Sequence, residues 1–240
     1  MGLDGKTAVV TGGSRGIGRA IVQRLAADGA TVLFGYASDD SAAEDVSTRT
    51  GARAVLVEMG ETDQVARLFD TADEHFGQLD ILVNNAGIPG TAPLLDTSEA
   101  EYDRIMAVNA KGTFLAMQHA ARRMRDGGRI VNISTMSTAW ASPGESAYAA
   151  SKAAVEQLTQ VAAKELGPRG INVNAVSPGP TDTDLLRGAV DPDAIAATEH
   201  MTPLGRLGRP ADIADVVAFL VSPDSHWVTG QNIRATGGLV

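Results

Sequence analysis

The sequence predicts an α/β fold in which a doubly wound parallel sheet carries helices on both faces. Short apolar runs alternate with longer segments of helical period along the 240 residues. Most of the short runs do not alternate in polarity, which is typical of strands buried on both faces of a sheet. The composition, 44% hydrophobic and 20% charged with 26 glycines, is that of a globular α/β protein.

Seven short runs are predicted to be strands. They cover residues 7–10, 31–34, 54–57, 81–83, 130–133, 171–176 and 232–234. The helical stretches cover residues 17–27, 41–50, 63–76, 98–124, 147–166 and 212–221. With right-handed crossovers these elements form one sheet, and the length favours a single domain over residues 1–240. Residues 178–210 are rich in Pro, Gly, Asp and Thr, so we expect a substrate loop or lid at about 180–210.

Composition excludes several classes of function. The chain has no cysteine, which rules out disulfides and thiolate chemistry, and the four histidines lack metal-ligand spacing, so we predict no metal site. A formal charge of −9 disfavours nucleic acid or an anionic membrane surface as a partner. There is no apolar run of roughly 18 residues and no basic-then-apolar leader, and we therefore expect a cytoplasmic protein without a membrane partner.

A glycine-rich segment, TGGSRGIG at residues 11–18, joins the first predicted strand to the first helix. Glycine permits positive φ and close approach of the backbone, and a helix N-terminus favours a pyrophosphate. A tight turn without a ligand has the same composition, but the position in the first βα unit favours dinucleotide binding, in a variant of the G-x-G-x-x-G fingerprint. The residues assigned to the cofactor in this segment are Gly12, Ser14, Arg15, Gly16, Ile17 and Gly18.

The end of the second predicted strand indicates which dinucleotide binds. An acidic residue there would accept hydrogen bonds from the ribose of NAD, but Tyr36 stands at that position in FGYASDD. Ser38 and Arg15 can both donate to a 2′-phosphate, so NADP(H) is favoured and NAD(H) remains possible. Two observations weigh against this: Asp39 and Asp40 would oppose the phosphate unless they face solvent, and Arg15 could equally be an exposed charge at a helix start.

The segment NNAG, residues 84–87, follows the fourth predicted strand. Side-chain amides followed by small residues suit a turn that ties neighbouring strands and leaves the backbone close to a flat ligand. We expect Asn85, Ala86 and Gly87 at the cofactor, although a purely structural role for the two asparagines is equally compatible with the pattern. Asn109 lies in an apolar run of the long helix, where a polar amide is usually solvent-facing.

Tyr148 and Lys152, in YAASK, share one helix face because they are four residues apart. A nearby ammonium stabilises a phenolate over a phenol, so Lys152 would lower the pKa of Tyr148 and make it a general acid or base for a carbonyl oxygen. An exposed tyrosine beside an exposed lysine would give the same pattern. The helical wheel predicts that a different stripe faces the sheet, formed by Ala150, Ala154, Leu158 and Val161.

The order and spacing of these motifs resemble those of the short-chain dehydrogenase/reductase family over essentially the whole chain. TGGSRGIG, NNAG, Asn109, a hydroxyl residue upstream of YAASK and SPG after the sixth strand carry the resemblance. It implies a Rossmann-like fold and, within the family, it is nearest to ketoreductase-type members such as 3-oxoacyl-carrier-protein reductases. The Tyr-to-Lys spacing of four differs from the enoyl-reducing branch, where the two residues are further apart.

The resemblance implies roles for individual residues. Tyr148 would protonate the carbonyl oxygen while the carbon takes hydride from NADPH, Lys152 would tune the phenol and hold the nicotinamide ribose, and Asn109 would support a water chain to Lys152. Glu58 stands where the family often has an Asp at the adenine amino group, which would shift that contact, and Thr181 and Thr183 would lie near the nicotinamide carboxamide. Met59, Pro178 and Gly179 are also assigned to the cofactor. It also implies a homo-oligomer, a tetramer or dimer built on the helices at 98–124 and 147–166.

One catalytic position departs from the family pattern. Thr135 in NISTMSTAW stands where the family commonly has a serine. Its hydroxyl can still donate to a substrate carbonyl, but the added methyl restricts χ1 and narrows the pocket. Ser134 would point to the opposite face of the strand. The expected function is therefore an NADP(H)-dependent oxidoreductase acting on a small carbonyl or alcohol substrate, and the alternative is a dinucleotide-binding scaffold or sensor with little turnover.

Overall fold

A computed structural model describes residues 2–189 and 191–240. Seven parallel strands form one sheet in the order β3-β2-β1-β4-β5-β6-β7. The strands are β1 Thr7–Thr11, β2 Thr31–Tyr36, β3 Arg53–Leu56, β4 Leu79–Asn84, β5 Met124–Ile133, β6 Asn172–Pro178 and β7 Asn232–Ala235. The predicted α/β class and all seven predicted strands are confirmed.

Helices cover both faces of this sheet. They are α1 Gly16–Ala27, α2 Asp40–Thr50, α3 Thr62–Phe76, α4 Glu99–Ile105, α5 Gly112–Arg123, α6 Ser146–Leu166, α7 Asp184–Ala189, α8 Pro192–Met201 and α9 Pro210–Val221. On one face, α1 and α9 pack around Phe34. On the other face, α3, α5 and α6 pack around Leu82. Every residue of β4 is buried, which explains why the apolar runs did not alternate in polarity.

The strand order places the site. The chain runs outward from β1 through β2 to β3 and then returns to β4 on the other side of β1. The carboxyl ends of β1 and β4 therefore flank the point where the order reverses, and ligands of such sheets bind in the crevice beyond it. The glycine-rich segment and NNAG follow these two strands directly.

The helix predicted over 98–124 contains an irregularity. A π-helical segment, Met106–Lys111, separates α4 from α5 and carries Asn109. The expectation that a mid-helix amide faces solvent is wrong here, because Asn109 is fully buried. A π-helical turn shifts the side chains that follow around the helix axis, and such turns are frequent at functional sites.

The stripe predicted to bury α6 against the sheet is also wrong. Ala150 is exposed and Val161 is 44% exposed. The buried face consists of Ala147, Ser151, Lys152, Val155, Thr159, Ala162 and Ala163. Three of these residues are polar and find hydrogen-bond partners in the interior, which an apolar-periodicity argument cannot anticipate. The exposed apolar residues, such as Val161, lie on α6, which the family resemblance assigns to contacts between subunits. The homo-oligomer itself stays a prediction.

Within the described residues, no helix combines the length and apolar character that a membrane crossing requires.

Candidate active site

The glycine turn after β1 is shaped by close backbone contacts. Gly12 and Gly16 have φ of 67° and 55°, in the region that favours glycine. A Cβ on Gly18 would lie 2.0 Å from the Gly12 carbonyl oxygen, so no larger residue fits there. A Cβ on Gly16 would lie 3.4 Å from Cγ2 of Thr183, which places the first residues of the lid opposite the turn.

Asn85 connects β4 to this turn. Its Nδ2 donates to the carbonyls of Thr11 at 3.1 Å and Gly12 at 2.9 Å, and the backbone amides of Asn85 and Ala86 both donate to Thr11 Oγ1 at 3.0 Å. Asn84 is buried and donates to Asn132 Oδ1 at 2.8 Å. The side chains of both asparagines therefore hold strand ends together, which is the structural alternative left open by the sequence.

The acidic residues after β2 face solvent. Asp39 is exposed and caps α2 by accepting from the Ala42 amide at 2.9 Å. Asp40 is exposed and accepts from the Tyr36 hydroxyl at 2.9 Å, a hydrogen bond that raises the pKa of Tyr36. Arg15 is also exposed, and it forms no ion pair within residues 2–189 and 191–240. Asp40 does not line the cavity described below, but Asp39 does, so the condition under which these carboxylates would tolerate a phosphate is met for Asp40 and not for Asp39.

The residues predicted to be catalytic lie just after β5 and on α6. Thr135, 8% exposed, follows β5 and pairs its hydroxyl with that of Ser137 at 3.1 Å. Tyr148 is partly buried on the first turn of α6 and lines the same cavity as Thr135. Lys152, only 4% exposed, lies one turn later and donates Nζ to the Ile133 carbonyl at 2.8 Å.

Asn109 holds the reacting helix in place. Its side chain exchanges hydrogen bonds with the Ile88 backbone at 2.8 and 2.9 Å, and its Nδ2 donates to Ser151 Oγ at 3.0 Å. Ser151 in turn donates to the Tyr148 carbonyl at 2.7 Å. A Cβ on Gly87 would lie 3.1 Å from Lys152 Nζ and 3.3 Å from Asn109 Oδ1, so a small residue is needed there. Asn109 thus links the segment after β4 to the backbone of the tyrosine.

These groups meet in one cavity of about 1040 Å³. It extends from the glycine turn, across Thr135 and Tyr148, to the lid helices α7 and α8. The predicted site residues that line it are Gly12, Ser14, Arg15, Gly16, Ile17, Gly18, Tyr36, Ser38, Glu58, Met59, Asn85, Ala86, Gly87, Thr135, Tyr148, Lys152, Pro178, Gly179, Thr181 and Thr183. Asn109 is buried and does not line the cavity, but its side chain is linked to the backbone of Tyr148 through Ser151.

Known proteins match this chain over its whole length. A family model described as enoyl-(acyl carrier protein) reductase matches residues 12–240. A short-chain type dehydrogenase/reductase of Picea abies is 44% identical, and the match covers 99% of this chain and 93% of the relative. The chain belongs to the short-chain dehydrogenase/reductase family. It is therefore an NAD(P)-dependent oxidoreductase.

Two solved structures of this family are also close. An angucycline C-6 ketoreductase with bound NADP is 43% identical, with a TM-score of 0.91 over 99% of this chain and 96% of that one. A blue fluorescent protein from a metagenomic library, in complex with NADPH, is 40% identical, with a TM-score of 0.95 over 100% of both chains. The two neighbours were thus both determined with a form of NADP in place.

Burial is the largest cause of the pKa shifts of Lys152 and Tyr148 in this short-chain dehydrogenase/reductase. It lowers the pKa of Lys152 from 10.5 to about 8, because the ammonium is enclosed with a single carbonyl partner. It also raises the pKa of Tyr148, and the carboxylate of Glu145 adds to the rise, while the nearby hydroxyl of Thr135 opposes it. The expectation that Lys152 lowers the pKa of Tyr148 is not met in this structure, since the ammonium is directed to Ile133.

Two carboxylates near Tyr148 and Lys152, those of Glu156 and Glu145, were not predicted from the sequence. Glu156 Oε1 accepts from the hydroxyls of Ser134 at 2.7 Å, Thr138 at 2.6 Å and Ser177 at 3.3 Å, and so ties the ends of β5 and β6 to α6. Glu145 lines the cavity just before Tyr148. The one available signal for Glu156 was its position four residues after Lys152, on the face of α6 that carries Lys152.

The segment predicted to be a substrate loop or lid, at about 180–210, contributes an apolar wall. Leu185, Leu186, Ile195 and Met201 line the cavity, and Leu185 and Met201 remain more than half exposed. The Asp182 amide donates to the Gly208 carbonyl at 2.8 Å, which joins the two ends of the lid segment. Among the described residues, no three His, Cys, Asp or Glu side chains cluster in a way that could hold a metal ion.

Proposed function

We propose that this protein reduces a ketone or aldehyde to an alcohol, and catalyses the reverse reaction, with NADP(H) as coenzyme. The observation that carries the proposal is the convergence of Thr135, Tyr148 and Lys152 in the cavity that begins at the glycine turn. A hydroxyl donor, a proton donor and a buried cation are the groups that reduction of a carbonyl requires.

The residues of the cavity fit a dinucleotide. Gly12 on the turn after β1 and Gly18 in the first turn of α1 leave backbone where any side chain would collide, and the N-terminus of α1 at Gly16 suits a pyrophosphate. Arg15 and Ser38 are exposed cavity residues able to donate to a 2′-phosphate. Asp40 does not line the cavity, and Asp39, which does, accepts a hydrogen bond from the N-terminus of α2. The NADP-bound neighbours support the same choice. NAD(H), which lacks the 2′-phosphate, would be the weaker coenzyme.

Tyr148 supplies the proton. When bound, the reduced coenzyme supplies a hydride to the carbonyl carbon. The Tyr148 phenol, which is protonated at neutral pH, donates its proton to the carbonyl oxygen, so that the π bond of the C=O group is replaced by one C–H bond and one O–H bond and the C–O single bond remains. Thr135 donates a hydrogen bond to the same oxygen and stabilises the negative charge that develops there. In this structure Lys152 donates to the Ile133 carbonyl and does not lower the pKa of Tyr148, so its positive charge would stabilise the phenolate only after the ammonium turned from Ile133 toward the phenol.

Lys152 and Asn109 support this step from inside the wall. The buried ammonium of Lys152 is assigned to the nicotinamide ribose as well as to the phenol, following the family resemblance. Asn109 fixes the first turn of α6 through Ser151, and so sets the position from which Tyr148 approaches the substrate. The family resemblance further assigns Asn109 to a water chain that returns a proton to Lys152.

The test is turnover of a ketone and aldehyde panel with NADPH by the protein and by Tyr148→Phe. We expect the variant to lose more than about 100-fold in kcat, in line with the loss of a general acid, with NADPH affinity near that of the wild type. Residual activity above a few per cent would contradict the role of Tyr148. NADPH binding without oxidation by any substrate, unchanged in Thr135→Ser, would favour the scaffold alternative.

The matching family model is described as an enoyl-(acyl carrier protein) reductase, so enoyl thioesters are a second substrate class to include in the test. An enoyl thioester presents a C=C bond conjugated to the carbonyl. Tyr148 and Lys152 keep the spacing of carbonyl-reducing relatives, so we expect ketones to be reduced and a crotonyl thioester to be reduced at least about 100-fold more slowly. Faster reduction of the thioester would replace the proposed reaction with enoyl reduction.

A further inference from the structure

A second hydroxyl stands beside Thr135 in the wall of the cavity. Ser137 Oγ and Thr135 Oγ1 lie 3.1 Å apart, and both residues line the cavity. The backbone amide of Ser137 also donates to Thr135 Oγ1, at 3.3 Å. The contact arises because Thr135 is the N-cap of a short 3-10 helix, Met136–Thr138, in which Ser137 is the second residue. The amide and the hydroxyl of Ser137 are therefore both within hydrogen-bond distance of one oxygen.

A bound substrate decides which of the two hydroxyls is the donor. Each hydroxyl has one proton to donate, and either one can donate to the other. Within the described residues, the Ser137 hydroxyl has no hydrogen-bond partner other than Thr135. A substrate carbonyl oxygen can only accept. Once Thr135 gives its single proton to that oxygen, Ser137 has to be the donor of the pair.

This order of donors strengthens the bond to the substrate. Hydrogen bonds that run in one direction from donor to donor polarise each other, and the effect is larger where little water competes. Thr135 is buried, so the pair meets that condition. Negative charge develops on the substrate oxygen during reduction, and a polarised Thr135 hydroxyl stabilises that charge more than it stabilises the neutral ketone.

Threonine suits this arrangement in place of serine. The added methyl leaves Thr135 fewer χ1 rotamers than a serine has. The amide of Ser137 holds Oγ1 in the capping position, which selects one of these rotamers. The residue that fixes the position of Oγ1 is therefore also the one that supplies the second hydroxyl.

We propose that Ser137 is a positioning residue for Thr135. Its hydroxyl donates to Thr135 Oγ1 and so directs the Thr135 proton to the oxygen of the substrate carbonyl. Ser137 acts only through Thr135 and makes no bond to the substrate. This inference rests on the proposed carbonyl reduction and adds a residue to that site.

The first test is Ser137→Ala, which removes the hydroxyl and keeps the backbone amide that bonds to Thr135. NADPH oxidation is followed in single turnovers at several ketone concentrations, with the best substrate of the ketone panel or, if none is reduced, with acetophenone. We expect the rate to fall about 3- to 10-fold, the range for one hydrogen bond, with ketone affinity within about twofold of the wild type. Ser137→Thr restores a hydroxyl and should regain most of the rate.

A double-mutant cycle tests whether Ser137 acts through Thr135. Thr135→Val removes the second hydroxyl and keeps the branched shape, so adding Ser137→Ala to it should change the rate less than about twofold. Ser142→Ala is the matched control, because Ser142 lines the same cavity and, among the described residues, its hydroxyl has no hydrogen-bond partner. Its effect, whatever the size, should be the same with and without Thr135→Val. Urea unfolding reports that each variant is folded.

A second readout does not need turnover. Isotope-edited infrared spectroscopy measures the carbonyl stretch of the same ketone bound together with NADP⁺, and stronger hydrogen bonds lower its frequency. We expect Ser137→Ala to raise the frequency in the protein with Thr135 and to leave it unchanged in Thr135→Val.

These measurements separate the inference from the reaction. A carbonyl frequency that depends on Ser137 through Thr135, without reduction of any ketone, would support the inference and reject carbonyl reduction. Reduction that is equally fast in Ser137→Ala would reject the inference and leave the reaction standing. A loss of rate that persists in Thr135→Val, or that appears only in ketone affinity, would also overturn it. So would a protein that neither reduces the ketone nor changes its carbonyl frequency.

Discussion

Replacing Lys152 with methionine tests whether the buried ammonium destabilises the coenzyme-free fold. Burial lowers the pKa of Lys152 from 10.5 to about 8. At 1.36 kcal/mol for each pKa unit, this lowering corresponds to about 3 kcal/mol of stability lost at neutral pH. Methionine fills a similar volume without a charge, but it removes the hydrogen bond to the Ile133 carbonyl, at about 1–3 kcal/mol. We expect Lys152→Met to be equal in stability to the wild type or about 2 kcal/mol more stable at pH 7.

The pH dependence isolates the charge. Below pH 8 the lysine is protonated in both the folded and the unfolded chain, and the destabilisation is fully present. Between pH 8 and 10.5 the unfolded chain binds more protons than the folded chain, so the wild type gains stability as the pH rises. The variant lacks this group. The free energy of unfolding of the wild type relative to Lys152→Met should therefore increase by about 2–3 kcal/mol from pH 7 to pH 10.

The assay is urea unfolding of the coenzyme-free proteins, followed by circular dichroism at intervals from pH 7 to pH 10. Lys164→Met is the matched control, because it removes the same charge from an exposed position of the same helix. A flat difference between wild type and Lys152→Met across this range would refute the claim that burial of the ammonium opposes folding. A Lys152→Met variant that still turns over ketones would separately refute its catalytic assignment.

Two further predictions concern the coenzyme and the strand ends. Arg15→Ala should raise KM for NADPH by about 10- to 100-fold and change KM for NADH less than threefold, measured with one ketone; equal effects on both coenzymes would remove Arg15 from the 2′-phosphate. Glu156→Ala should destabilise the fold by about 2–4 kcal/mol in urea unfolding, because three hydroxyls lose one acceptor, whereas Glu156→Gln keeps an oxygen there and should lose less. Equal stability of the two variants would contradict the stabilising role of the Glu156 hydrogen bonds.

The elements that could be predicted from sequence are those governed by local rules. The strands are short apolar runs buried on both faces, and the glycine turn is required by backbone contacts such as the 2.0 Å approach at Gly18. Tyr148 and Lys152 are neighbours because a helix places residues four apart on one face. These features need only periodicity, turn chemistry and the order of motifs.

The features that could not be predicted depend on partners distant along the chain. The buried face of α6 contains Ser151, Lys152 and Thr159 because Asn109, Ile133 and Asn132 supply their hydrogen bonds, and none of these lies on the same helix. Apolar periodicity treats such polar residues as solvent-facing, so the face of α6 predicted to pack against the sheet differs from the face that is buried.

The direction of the Tyr148 pKa shift could not be predicted from sequence for the same reason. Spacing along a helix shows that an ammonium can reach a phenol, but it does not show what else the ammonium can reach. Here the Ile133 carbonyl at the end of β5 holds Lys152 Nζ, and burial together with Glu145 raises the pKa of the phenol. The phenol is protonated at neutral pH, which is the form that the reductive direction needs, although its raised pKa also makes it a weaker acid. In the oxidative direction the base form is needed, so the rate of alcohol oxidation should rise with pH above neutrality.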